Sequence, residues 1–368
     1  MYAYAFFEDF VLFYPVYAVL FADAGLSGAE ISSLFILWSV SSFLIDIPSG
    51  IWADAYSRRL LLTLAPGLTA AGYALWTFLP SYPFFALGFV LWGAGGAVRS
   101  GALQALVYDE LTRLGRSDAY GRLMGRSRAI ATTAVMAATA LASPVLHAGG
   151  YRAVGLASVA VALLGVPVGR SFPESRGDGE REERYGAVLR SGLAELRGAP
   201  GIRRGMLVVA LVSGVDALEE YIPLLAKANG AGAANVPLLV LIVTAGITAG
   251  GWLGGRGTVR AGPVLAVAAA LLAVGSGSGR PVGLVAVAVA FGAFQWAIVA
   301  ADLRLQERVS DGARATLTSV AGFGTEIVAV LTFAGYGLGS SRLGAGPLFA
   351  LAAAPYVFVA IAMWRSRE

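Results

Sequence analysis

The chain has 368 residues, 57% of them hydrophobic and only 14% charged, with a mean hydropathy of +0.71. Soluble domains usually carry about 25% charged residues, so the composition excludes an ordinary soluble enzyme or binding domain and leaves a polytopic membrane protein. The sequence pI near 9.4 does not point to nucleic acid, because the basic residues are nearly all Arg and stand at the ends of apolar segments. With no Cys, disulfides, thiol nucleophiles and thiolate metal sites are all ruled out.

A membrane span takes about 20 apolar residues, so twelve spans use roughly 240 and leave short loops and one longer one. The predicted spans are 3–22, 31–52, 60–79, 83–108, 125–147 and 152–171, then 205–227, 235–254, 261–278, 281–303, 314–339 and 345–364. Met1 runs almost directly into the first, without a cleavable signal pattern, and that span is expected to be retained. The expected organisation is an N-terminal six-helix bundle over 1–172, a cytoplasmic linker over 173–204 and a C-terminal six-helix bundle over 205–368. Within the linker Val188, Leu189, Leu193 and Leu196 recur at helical spacing, which predicts a short amphipathic helix on the inner membrane surface.

The arginines orient the chain. One set of loops holds Arg58, Arg59, Arg113, Arg116, Arg176, Arg256, Arg260, Arg365 and Arg367 among others. The alternate loops hold only Arg152, Lys227, Arg280 and Arg342. Basic residues accumulate on the cytoplasmic side, so the chain is expected in the cell's inner (plasma) membrane with both termini in the cytoplasm.

Between the second and third spans lies a charged hinge, Asp46 to Arg59. Asp54 precedes Arg58 by four residues, so on a continued helix the two share a face. Such a pair can latch two rigid halves in one conformation and release them in another; the plainer reading makes Arg58 and Arg59 cytoplasmic anchors. Gly50, Asp54, Arg58 and Arg59 fill a G-x-x-x-D-x-x-x-R-R/K pattern, and the stretch resembles the loop between helices 2 and 3 of the major facilitator superfamily of transporters. Asp46-x-Pro48-x-Gly50, and Ser100-Gly101-Ala102 followed by Tyr108-Asp109-Glu110-Leu111, resemble its drug-efflux branch, the drug:proton antiporters. Two departures stand out. Phe89 occupies the place of the family's helix-4 Arg, and of the antiporters' Gly-Pro-x-x-Gly-Gly motif only Ser143-Pro144 and Gly149-Gly150 are present.

The resemblance implies an all-α membrane protein of twelve transmembrane helices in two pseudo-symmetric six-helix bundles. It also implies alternating access around a cavity lined by spans 1, 4, 7 and 10, with span 11 contributing. Internal repetition agrees. Glu8 precedes Pro15 by seven residues as Asp216 precedes Pro223, and Asp109 precedes Asp118 by nine as Asp302 precedes Asp311.

The candidate site residues are the charges that cost most to place in a bilayer, about 2.5–3.5 kcal/mol each on insertion scales. Span 1 carries Glu8 and Asp9, span 4 carries Arg99, span 11 carries Glu326, and span 7 carries Asp216, Glu219 and Glu220 at i, i+3 and i+4. Three carboxylates on one helix face cannot all stay ionised cheaply in a low dielectric. Glu219 or Glu220 is therefore expected to carry a coupling proton, while the acidic face attracts a cation. Tyr14, Gln295 and Trp296 complete the candidate substrate-binding set, since aromatic faces beside carboxylates favour organic cations. Arg99 needs a carboxylate partner in span 1 or span 7, or else it holds an anionic group of the substrate. Asp46, Gly50, Asp54, Arg58, Arg59, Asp109 and Asp302 form the expected hinge and gating set.

No enzyme constellation is present, and no cofactor or metal is expected. The function expected is secondary active transport, with proton-coupled export of a small cationic or amphipathic organic compound by a monomer in the lipid bilayer. The alternative is uptake or facilitated transport of a zwitterionic or anionic solute bound through Arg99.

Overall fold

Long apolar runs rich in Ala, Leu and Val, bounded by Ser caps and Gly turns, become helices throughout the computed structural model, which describes residues 1–174, 200–254, 261–307 and 314–365. Among these residues there is no strand. The amphipathic helix expected at Val188 to Leu196 lies outside the described residues. Seven helices of the described chain are long and apolar enough to cross a membrane. Large apolar side chains point outward, with Leu338 80%, Trp252 78% and Phe358 73% exposed, which costs nothing where the neighbours are lipid tails. The fold is that of an all-α membrane protein with twelve spans.

The chain forms two compact units, Met1–Gly179 and Glu180–Glu368. In the first, span 1 is broken into Tyr2–Asp9 and Tyr17–Asp23, span 2 is Gly28–Ala55, span 3 is Arg58–Phe78 and span 4 is Tyr82–Arg113. Spans 5 and 6 are the two arms of Tyr120–Arg170, parted where Gly149 and Gly150 leave helical geometry. Gly150 has φ 62° and ψ −164°, a conformation open essentially to Gly alone. Span 2 starts on a reciprocal cap. The Ser27 hydroxyl accepts from the Glu30 amide at 3.3 Å, and the Ser27 amide donates to the Glu30 carboxylate at 2.8 Å.

The second unit repeats that order. Span 7 is broken into Pro200–Ser213, Asp216–Glu219 and Ile222–Ala228. Spans 8 to 11 are Val236–Leu253, Ala261–Gly277, Gly283–Glu307 and Arg314–Ser340, and span 12 is Ala345–Ala352 with Ala354–Arg365. Spans 8 and 10 meet backbone to backbone. A Cβ added at Gly250 would strike the carbonyl of Gly292, and one at Gly292 the carbonyl of Gly246. Small residues permit that approach in lipid, where packing rather than the hydrophobic effect holds helices together.

The core of the first unit is aromatic. Phe13, Phe21, Phe35, Tyr73, Trp76, Phe85 and Phe89 are all at most 1% exposed, with many ring pairs in edge-to-face geometry. Phe89 lies within 6.0 Å of Tyr17, Phe21, Phe35, Trp38, Trp76 and Trp92. That packing explains the departure from the family's Arg at this position, because a guanidinium here would be enclosed by rings.

Span 3 is helical through Pro66, which has no N–H to offer Leu62 four residues earlier. The Tyr4 hydroxyl from span 1 donates to that Leu62 carbonyl instead, at 2.9 Å. The same stretch receives span 6 closely, since a Cβ at Gly169 would collide with the Leu62 carbonyl. Spans 1 and 6 thus both meet span 3 at the turn that ends in this proline.

Candidate functional site

Glu8 stands at the end of the first piece of span 1, just before the chain leaves helical geometry at Phe10. Its Oε2 lies 3.2 Å from Arg99 Nε of span 4, with the two side chains 9% and 31% exposed. Of the two sources considered for the partner of Arg99, span 1 therefore supplies it. The charges touch without an aligned hydrogen bond, and Glu8 Oε1 and Arg99 Nε are both buried and unbonded. Beside Glu8 is a cavity of about 10 Å³ lined by Phe7, Pro66, Thr69, Ala162 and Gly165, about the size of one water. Asp9 is half-buried and has no ion pair among the described residues; the nearest cations acting on it are Arg99 and Arg128.

Tyr14 lies in the unwound stretch of span 1. Its ring centroid is 5.4 Å from that of Trp92 on span 4. Trp92 in turn stacks on Trp38 at 5.2 Å and 15°. The sequence reading did not single out Trp92. The available signal was its spacing, because Trp92 precedes Arg99 by seven residues, two turns along the same helix face.

In the second unit, span 7 breaks twice ahead of Pro223. Helical hydrogen bonding lapses at Gly214 and Val215 and again at Glu220 and Tyr221, leaving Asp216–Glu219 as a single turn. The amides of Leu218 and Tyr221 bond back three residues, to Val215 and Leu218, so the segment is wound tighter than an α-helix. The three acids do not share one environment as a regular helix face would have placed them. Asp216 is exposed, while Glu219 and Glu220 are half-buried. Within this unit no described residue forms a hydrogen bond or ion pair with any of the three. Tyr221 is buried and stacks on Tyr336 of span 11 at 3.6 Å and 16°, which pins the second break. Gln295 and Trp296 are half-buried in span 10, Glu326 half-buried in span 11, and Asp302 exposed near the C-terminal end of span 10.

The hinge arginines reach across helices. Arg58 is the first residue of its helix, behind a Ser57 cap whose hydroxyl accepts from the Leu60 amide at 3.1 Å. A cation is disfavoured at a helix N-terminus, and here an acid offsets it. Arg58, 0% exposed, pairs with Asp109 of span 4 at 2.5 Å, and Arg59, 46% exposed, pairs with Glu174 at 2.8 Å. Full burial takes Arg58 out of the role of an interfacial anchor, which Arg59 can still fill. Asp54 and Gly50 lie on the last turns of span 2, and the side chain of Asp54 is outside the described residues. Asp46, of the expected hinge set, is exposed and accepts a hydrogen bond from Ser100 at 3.0 Å. Among the described residues no three His, Asp or Glu converge as metal ligands.

The broken first and seventh spans and the membrane-buried charges beside the breaks define a carrier of small molecules. The profile of the Major Facilitator Superfamily matches residues 1–333, and the chain belongs to that family. No curated protein matches it. Among solved structures it is similar to the nucleoside transporter NupG, at 13% identity and TM-score 0.75, covering 100% of this chain and 97% of that one. It is also similar to a D-xylose-proton symporter, at 15% identity and TM-score 0.74, covering 99% and 95%. A third similarity is to a bacterial homolog of the human lysosomal transporter Spinster in an inward-facing, unoccupied conformation, at 16% identity and TM-score 0.70, covering 99% and 94%. At these identities the likeness is one of fold. The chain is a transporter rather than an enzyme.

Proposed function

We propose that this transporter works by alternating access and exports a small cationic or amphipathic organic compound in exchange for protons, as a drug:proton antiporter does. The supporting observation is the acidic break in span 7. Asp216, Glu219 and Glu220 lie in a discontinuous membrane helix, the element on which carriers tend to build their sites, and no described residue of their own unit neutralises them. Carboxylates in a membrane need a counter-charge, and here a proton or a cationic substrate supplies it in turn. Glu219 and Glu220 are the coupling groups. Asp216 with Glu8 and Asp9 supplies the acidic surface, and Tyr14, Gln295, Trp296 and Glu326 serve the substrate. The two bundles, 1–172 and 205–368, rock about the site on the linker 173–204. Asp46, Gly50, Asp54, Arg58, Arg59, Asp109 and Asp302 govern that motion. The Arg asymmetry of the loops supports an inner-membrane protein with cytoplasmic termini, and the protein functions as a monomer.

The test is transport of organic cations into inside-out proteoliposomes under an imposed pH gradient. Glu220→Gln is expected to abolish the dependence on the gradient while the protein still inserts; unchanged dependence would move coupling elsewhere. The second reading, uptake or facilitated transport of a zwitterion or anion, rests on Arg99, whose side chain remains 31% exposed beside its Glu8 partner. Arg99→Ala separates the two readings. Retained cation binding supports export, and selective loss of acidic ligands supports the alternative.

A further inference from the structure

The cavity beside Glu8 sits where three spans meet. Phe7 and Glu8 come from span 1, Pro66 and Thr69 from span 3, and Ala162 and Gly165 from span 6. Gly165 lets span 6 come close, since a Cβ there would lie 3.0 Å from the Pro66 ring. Two polar groups line this otherwise apolar space, and each lacks what the other has. The Glu8 side chain is 9% exposed, its Oε2 is taken by Arg99, and its Oε1 is buried with no hydrogen bond. Tyr4, one turn earlier on the same helix, is near enough to act on that carboxylate, but its single hydroxyl proton goes to the Leu62 carbonyl at 2.9 Å. Thr69 is 5% exposed. Thr63 and Thr77 of the same helix turn their hydroxyls back onto the carbonyls of Arg59 and Tyr73. Thr69 donates no hydrogen bond among the described residues, so a free donor and a bare acceptor border one cavity of about 10 Å³.

We infer that this cavity is a binding site for a single water, which accepts from the Thr69 hydroxyl and donates to Glu8 Oε1, and that Thr69 is thereby a positioning residue for Glu8. A buried carboxylate oxygen without a donor is costly, and a water with two polar partners in a space of its own size removes that cost. A metal cation fits worse. Hard cations gather about six oxygen ligands, whereas this cavity offers two, with the Arg99 guanidinium on the other oxygen of the same carboxylate. The water gives Glu8 a second donor, one held by spans 3 and 6 and not by span 4. When Arg99 turns away, Glu8 stays in place, and the ion pair can part without stranding a bare carboxylate. The site serves either direction of transport and either sign of substrate.

Two measurements on the purified full-length protein in nanodiscs test this. A density map that resolves ordered waters is expected to show one peak within hydrogen-bond reach of both Glu8 Oε1 and the Thr69 hydroxyl. Infrared spectra then read the carboxylate stretch of Glu8, isolated by subtracting the spectrum of Glu8→Gln. Thr69→Val removes the donor to the water and Ala162→Leu fills its space, and each is expected to shift that band. Thr69→Ser is expected to leave it in place, as is Thr139→Val, a change at a buried Thr of span 5. Should Ala162→Leu fail to fold, Thr69→Val carries the same test. An empty cavity overturns the site. A peak with a band that Thr69→Val does not move overturns the positioning role. A peak ringed by further oxygens, with thermal stability that follows Na⁺ and not K⁺, overturns the water in favour of a bound cation.

Discussion

Arg58 shows how one residue's role turns on where its partner stands. It opens a helix whose N-terminal dipole repels it, is fully buried, and is held by Asp109 from another span. Removing the acid from a buried pair leaves an uncompensated charge, at a cost of about 3–5 kcal/mol. Asp109→Ala should fall near the low end, about 3 kcal/mol, because Asp109 is itself 30% exposed. The measurement is thermal unfolding in detergent beside the rate of conformational exchange. Glu174→Ala, on the exposed Arg59, should change stability by less than about 1 kcal/mol. Equal losses would mean that burial of Arg58 is irrelevant. The spacing of Asp54 and Arg58 suggested a local pair, and the side chain of Asp54 lies outside the described residues. Asp109, 51 residues away, could be read only as an acid near a helix end.

At the scale of the element, breaks matter as much as helices. Spans 1 and 7 carry acids next to interrupted hydrogen bonding, Glu8 and Asp9 before Phe10 and Asp216 to Glu220 around Tyr221. Pro15 and Pro223, each seven residues after an acid, mark both places in the sequence. Span 3 shows the opposite device, a proline whose missing bond is made good from outside. Tyr4→Phe should cost about 1–2 kcal/mol, since it strands the buried Leu62 carbonyl. In a Pro66→Ala background the new amide can take over that carbonyl, so the same change should cost clearly less. A double-mutant cycle reads the coupling, and strict additivity would show that Tyr4 acts by packing alone.

For the whole molecule, the two units repeat one order of spans, and the family match over residues 1–333 accounts for that architecture. Orientation is a separate matter, carried by the arginines of alternate loops. Reporter fusions at each end and in the loop holding Arg280 test it. Cytoplasmic signal at both ends with external signal at Arg280 is the expected result. The reverse pattern would invert the membrane orientation, and with it the direction assigned to transport.

Composition, span periodicity and the hinge motif were enough to determine the class of this protein. A bilayer demands long apolar helices, and charges placed within them are too costly to be incidental. The family resemblance then made the two-bundle fold legible. Partnerships were decided only by tertiary structure. Arg99 could have met an acid of span 1 or span 7, and helix packing brought it to Glu8. Phe89 looked like a missing Arg until the aromatic core enclosed it. Periodicity records which face a residue shares along its own helix; which helix comes to that face depends on contacts far apart in the chain.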